Sequence, residues 1–359
     1  MNKSQKSKLI GLVILVALIA ITVGYAKYRE KLPNEVHVNG LIGSEKQGLF
    51  DDPEFQRIVK KNYGITYEYT KSGSFDQVLL PADQLEKYDY LFPSNQLALE
   101  VFKSKHHTST KNDIVFNTPI VLYTRKVVAD ALINQGVASK SGETYTVDMK
   151  KMAQLILDNK TWAEIGVDEL YGNILIDTTN PNRSNSGNMF LGLLANAIND
   201  GTVVDSSTVR DVKPKIREIY NNLGYMQVNS GDLFKQFLKQ GVGAFPIIAG
   251  YENQILEFSK ENPDIFKSVK DDIVIMYPTP TVWSSHVFIA LDEDGAKALE
   301  GLMDRDVQTI AWKHHGFRTG VSGATNITDF EVKGLKDTIV NVIPMPNVDI
   351  MNQLMSEIQ

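Results

Sequence analysis

The sequence predicts an α/β protein built as two lobes, each a mostly parallel sheet flanked by helices. Three observations lead there. At 359 residues the chain exceeds what one hydrophobic core usually serves. Short apolar strands alternate with helical patterns, as they do where parallel strands are joined through helices. With 43% hydrophobic and 22% charged residues, there is enough apolar material to offset chain entropy in both lobes.

The first element is a charge-free run of 17 residues, Leu9–Tyr25, preceded by Lys3, Lys6 and Lys8 and followed by Lys27, Tyr28 and Arg29. As a helix it spans roughly 25 Å, slightly short of a hydrocarbon core about 30 Å thick. It reads as a single-pass anchor within residues 1–31. A cleaved signal with Gly24 and Ala26 at the cleavage site is the rival reading. Lysines ahead of the apolar run put the body on the extracytoplasmic face of the cell membrane in either case.

Beyond Pro33, Glu35–Val38 reads as a strand, Asn39–Ser44 as a turn and Asp52–Tyr63 as a helix with Phe55, Ile58 and Val59 on one face. The same strand-turn-helix order recurs. Ile65–Thr70 leads through a Ser-Gly-Ser turn to Phe75–Leu80, and Tyr88–Phe92 leads through Pro-Ser-Asn to Gln96–Phe102. Asn173–Ile176 reads as a further strand before the helical Met189–Ile198. No fixed-period repeat is present, which argues against a solenoid.

The turns after these strands carry small hydrogen-bonding residues: Ser44 with Glu45, Ser72 with Ser74, and Ser94 with Asn95. The longest polar run, Thr178–Asn188, contains Ser184, Asn185 and Ser186. In open α/β sheets such turns sit at the carboxyl ends of strands, where helix N-termini expose unpaired N–H groups that favour anions. The same residue types are also ordinary helix caps, so one turn by itself carries little weight.

Four longer stretches give the chain a familiar look: Tyr88–Asn95, Asn117–Tyr123, Asp177–Asn188 and Ile273–Arg318, in that order. It resembles bacterial extracellular solute-binding proteins of the molybdate and sulfate type, whose periplasmic-binding-protein-like (type II) fold has two lobes joined by crossing strands. The resemblance implies a first lobe over residues 32–122, a second over 123–279, and a return to the first over 280–359, ending in an unplaced tail. It implies hinge closure over a small polar solute, with contacts from Ser44, Glu45, Ser72, Ser74, Ser94, Asn95 and Thr118 of the first lobe. The second lobe would add Thr178, Ser184, Ser186, Asn185, Asn188, Tyr251 and Glu252. An anion is favoured, with Arg125 and Arg183 as possible counter-charges, but Glu45 and Glu252 leave an amine or a cation open. The implied role is delivery to an ABC-type importer and its permease. A membrane-anchored sensor or adaptor of the same fold is the alternative.

Other classes find little support. Residues 1–31 carry a net charge of +5, so the body holds −11 of the overall −6, and an acidic body repels nucleic acid. Without cysteine there is no disulfide, thiolate site or lipid-modified cysteine. No nucleophile elbow, phosphate loop, HExxH or dinucleotide fingerprint occurs, so neither enzymatic activity nor a cofactor is expected. No metal site is expected either, because adjacent histidines such as His314-His315 diverge on a helix.

Overall fold

The computed structural model describes residues 34–106, 111–320, 323 and 325–358, together with 17, 20 and 22. The anchor read at Leu9–Tyr25 lies almost wholly outside them. Among the described residues no helix is long and apolar enough to cross a membrane.

The chain begins with β1 (Val36–Ile42), α1 (Gln47–Asp51), α2 (Pro53–Tyr63), β2 (Ile65–Lys71), α3 (Ser74–Val78), α4 (Ala82–Leu85), β3 (Tyr90–Phe92) and α5 (Gln96–His106). The long β4 (Asn112–Arg125) follows, then α6 (Lys126–Asn134), β5 (Ala138–Ser141), β6 (Thr144–Asp148), α7 (Met149–Leu157), α8 (Asn185–Ile198), α9 (Val209–Asn221) and α10 (Ser230–Gln240). It continues through β7 (Ile247–Tyr251), α11 (Glu252–Glu261), α12 (Pro263–Val269), β8 (Ile273–Thr279), β9 (Trp283–Ala290), α13 (Glu293–Leu302), α14 (Arg305–Lys313) and α15 (Val348–Met355).

Local sequence accounts for much of this. In α2, Asp52 caps the helix by accepting from Glu54 N (2.7 Å) and Phe55 N (3.3 Å), Pro53 occupies the first turn, and Gly64 ends the helix at φ 70°. Strand alternation divides side chains between the two faces of each sheet. Val38, Ile42, Tyr90, Phe92, Phe288 and Ala290 face one first-lobe core, while Leu41, Leu91, Val287 and Ile289 face the other. In the second lobe Ile120, Leu122, Ala249 and Met276 face one core, and Val121, Tyr123, Ile248 and Ile275 the opposite one. Each fully buried side chain of this kind contributes about 1.5–3 kcal/mol.

The first-lobe sheet has the order β2-β1-β3-β9-β4 and the second β7-β4-β8-β6-β5, with β4 shared. Its early residues pair with β9, and from Ile120 onward it pairs with β7 and β8. Pro119, which has no N–H to give to a ladder, stands at the changeover. A second crossing runs from β8 to β9, where Thr281 Oγ1 donates to Ile120 O (2.8 Å). A third follows Arg318, whose backbone pairs with Asn117 before the chain continues along the second lobe. There Phe330 and Leu335 join one core, and Ile350, Met351 and Leu354 of α15 pack on the second-lobe helices.

Three expectations need correction. β1 runs on to Ile42, so Asn39–Ile42 is strand and the turn begins only at Gly43. The sheets are mixed, since β1-β2, β1-β3 and β6-β8 are parallel while the pairings involving β4, β9 and β5 are antiparallel. β4 and β9, which pass between the lobes, run against each of their neighbours, and β5 folds back on β6 as a hairpin. Asn173–Ile176 is also not a strand. Ile174 N donates to Lys160 O instead, and only Asp177 reaches the sheet, as a bridge to Ile248.

Candidate functional site

Polar turns from both lobes open onto one cavity of ≈ 220 Å³ between the lobes. On the first lobe, Gly43 leads from β1 into a tight turn at Ser44–Lys46, and Ser72 N, after β2, donates to Ile42 O, which joins the two turns. Ser94, after β3, donates its N–H to Ser74 Oγ at 2.9 Å. On the second lobe, the Ser186 hydroxyl links Thr179 Oγ1 (2.7 Å) and Ser184 Oγ (3.0 Å) at the start of α8. Gly187 lets that helix approach closely, because a Cβ there would overlap the Thr179 carbonyl. Gln254 positions two more segments by accepting from Tyr251 N and donating to Ser230 O, both at 2.9 Å.

The lobes already touch across the cleft. Asn185 Nδ2 donates to Ser94 O and to the Tyr251 hydroxyl, each at 2.9 Å, and Ser284 Oγ donates to the same Ser94 carbonyl at 2.6 Å.

Beneath the cavity lies a buried charge cluster. Lys46 is fully buried, with Nζ 2.5 Å from Glu45 Oε1, 2.5 Å from Ser94 Oγ and 3.1 Å from His286 Nδ1, and it stands over the Phe92 ring. Ser94 Oγ also donates to Glu45. Burial would raise the Glu45 carboxyl, but the Lys46 ammonium beside it, with the Ser94 hydroxyl, brings it down to about 2. Burial draws Lys46 below the usual lysine range, while the Glu45 charge opposes that. His286 is held well below its usual range by burial and by the neighbouring ammonium. Glu45 and Lys46 therefore form a charged pair of net zero beside a neutral imidazole. Neutral His286 accepts from Lys46 at Nδ1, and its buried Nε2 has no partner.

Of the residues singled out from sequence, Ser44, Glu45, Ser72, Ser74, Ser184, Asn185, Ser186 and Tyr251 line this one cavity. Ser94 lies just beneath it. Asn95 and Asn188 instead meet each other, at 3.4 Å. Thr118 accepts from Asn253 N at 3.4 Å, and the Thr178 hydroxyl is buried without a partner. Glu252 is not brought to the cleft, since it bridges Arg318 and the Tyr277 hydroxyl in the interior. Arg125 is occupied elsewhere too, against the Phe237 ring and Asp272. Sequence reading passed over Lys71, Asn229 and Ser230, which line the cavity with Arg183, and Lys46, His286 and Ser284, which are bonded to Glu45, to Lys46 and to Ser94 respectively. The Glu45-Lys46 pair in the turn after β1 was the one local signal for the buried cluster.

No family model and no curated protein sequence matches the chain. Solved structures do. The apo ferric-ion-binding protein A of Pasteurella haemolytica superposes with a TM-score of 0.56 at 12% identity, over 90% of this chain and 95% of that one. The chain has the two-lobe fold of solute-binding proteins. That solute-binding fold is shared with the fructose-6-phosphate-bound periplasmic binding protein AfuA of Actinobacillus pleuropneumoniae (TM-score 0.54, 10% identity, 90% and 98% covered). The sulfate-binding protein SubI of Mycobacterium tuberculosis is similar as well (0.53, 11%, 89% and 96%). All three are binding proteins by name.

Proposed function

We propose that this chain is a non-enzymatic, extracytoplasmic solute-binding protein that holds a small oxyanion between its lobes and delivers it to an ABC-type importer. Its N-terminal segment, Leu9–Tyr25, would tether it to the cell membrane. The observation carrying this reading is the convergence of hydroxyls and helix starts from both lobes on a single cavity whose one carboxylate is already neutralised by Lys46. The starts of α8 and α10 supply orphan N–H groups and favourable dipoles, and Lys71 and Arg183 add positive charge at the rim. At ≈ 220 Å³ the space falls below the roughly 300–1,000 Å³ of pockets for drug-sized ligands, which suits a small anion.

A cation suits the cavity less well. Glu45 is committed to Lys46, and the Tyr251 hydroxyl accepts from Asn185 Nδ2 at 2.9 Å. The named neighbours bind ferric ion, sulfate and a sugar phosphate. Of these, the two oxyanions match the donors present here.

A thermal-shift screen of the full-length chain against sulfate, phosphate, molybdate, fructose 6-phosphate, ferric citrate, amino acids and neutral sugars tests the proposal. A ligand at 100 times its Kd stabilises by about 2.7 kcal/mol. Stabilisation by an oxyanion but not by the neutral sugars or amino acids is expected. Stabilisation by ferric ion or an amine alone would refute the oxyanion reading.

A further inference from the structure

A second constellation lies away from the cleft, where α14 ends. Adjacent histidines inside a helix diverge, but α14 stops at Lys313 and Gly316 turns the chain at φ 70°, which bends the pair onto one carboxylate. His314 Nδ1 lies 2.7 Å and His315 Nε2 3.1 Å from the same oxygen, Asp52 Oδ2. The three ligand-type atoms are all within 4.8 Å of one another.

The surroundings are those of a built site. Asp52 Oδ1 is engaged with the start of α2, which fixes the carboxylate and leaves Oδ2 for the histidines. Glu257, from α11 of the second lobe, holds His315 Nδ1 at 2.7 Å from the far side of the ring. That is the carboxylate-histidine arrangement that orients an imidazole so that its other nitrogen faces a metal. Gly48 keeps the space open, because a Cβ there would overlap Glu257 Oε1 and stand 3.2 Å from His315 Nδ1. His315 and Asp52 are 6% and 10% exposed, while His314 is 42% exposed and leaves one side open to solvent.

We propose that Asp52, His314 and His315 form a binding site for a divalent transition-metal ion, zinc above all, with Glu257 orienting His315 from the second lobe. Two imidazoles, one carboxylate and an open fourth position make a set that zinc accepts in tetrahedral geometry. Ligand bonds of about 2.0–2.2 Å put tetrahedral neighbours roughly 3.3 Å apart. The present spacings of 2.7 and 3.1 Å are hydrogen-bond distances, and opening them by roughly 0.6 and 0.2 Å brings them to that separation. Binding would displace the protons shared with Asp52 Oδ2. Because Glu257 belongs to the opposite lobe, the ion would also reinforce the present lobe arrangement.

The test is titration of the chelator-treated full-length chain with Co²⁺, followed by displacement with Zn²⁺. One equivalent of Co²⁺ showing the visible ligand-field bands of a four-coordinate ion is expected, and Zn²⁺ but not Mg²⁺ or Ca²⁺ should remove them. His314→Ala, at a half-exposed position, should lose these bands while melting like the parent. Glu257→Gln should weaken Zn²⁺ binding by about 10–100-fold, the usual effect of removing such a buttress. Absence of stoichiometric binding, or bands unchanged in His314→Ala, overturns the proposal. Oxyanion binding in the cleft is read separately, so either result leaves that reading to its own test.

Discussion

Replacing Lys46 by methionine removes the positive charge paired with Glu45 in a cluster with almost no access to water. The Lys46 side chain is 0% exposed and that of Glu45 is 8% exposed. Glu45 stands at about 2 with its partner present, against an ordinary value of 4.5, and losing that difference corresponds to about 3 kcal/mol at about 1.4 kcal/mol per tenfold change. Breaking a buried pair from one side typically costs 3–5 kcal/mol, because the remaining charge is uncompensated, whereas replacing both partners is often close to neutral. Urea denaturation of the parent, Lys46→Met, Glu45→Gln and the double variant closes a double-mutant cycle. A loss of about 3 kcal/mol in Lys46→Met is expected, with at least half recovered in the double variant. The sign of the pH dependence follows from a carboxyl lowered on folding: the pair stabilises fully above pH 4.5, and its contribution fades as pH falls toward 2. Burial alone raises the unpaired carboxyl, so the gap between parent and Lys46→Met should begin to narrow above pH 4.5 and go on narrowing toward pH 2. A Lys46→Met variant within about 0.5 kcal/mol of the parent at pH 7 would refute a buried charged pair, since that is the scale of ordinary surface substitutions.

Further expectations concern the frame of the cleft. Burial raises Asp177 to about 6, so the folded protein binds its proton more tightly than the unfolded chain does. Stability should fall as pH rises from 4 to 6, and Asp177→Asn should gain up to about 3 kcal/mol at pH 7 in denaturant melts, with no gain at pH 3. Glu252→Gln breaks the interior pair with Arg318 and should cost about 3 kcal/mol without changing which solutes shift the melting temperature. Gly187→Ala places a methyl group against the Thr179 backbone and should cost about 1–3 kcal/mol, with weaker solute binding by calorimetry.

The first three strand-turn-helix units were legible because the apolar runs of β1, β2 and β3 and the Ser, Gly and Asn turns behind them are local properties of the chain. So were Ser44, Ser72, Ser74, Ser184 and Ser186 of the cavity lining, since small hydroxyls at helix starts are visible one turn at a time. Strand direction was not legible. A strand that crosses between lobes has the same alternation as one joined through a helix, so nothing local showed that β4 and β9 run against their neighbours. Lys46 was hidden for a different reason. A lysine in a polar turn reads as solvated, and its burial depends on His286, 240 positions away. Glu252 looked like a cleft carboxylate because it follows Tyr251, but its geometry is set by Arg318, which reaches it from the third crossing. The tail has no strong local pattern before α15, and packing on the second lobe alone gives it a place.

Two half-sites acting on one anion are tested most directly by isothermal titration of the best oxyanion from the screen into Ser72→Trp, which blocks the first lobe's side, and Ser184→Trp, which blocks the second's. Both serines line the cavity. Loss of binding in each variant separately, with parental melting in the absence of solute, is the expected result. Parental affinity in either one would contradict capture between the lobes.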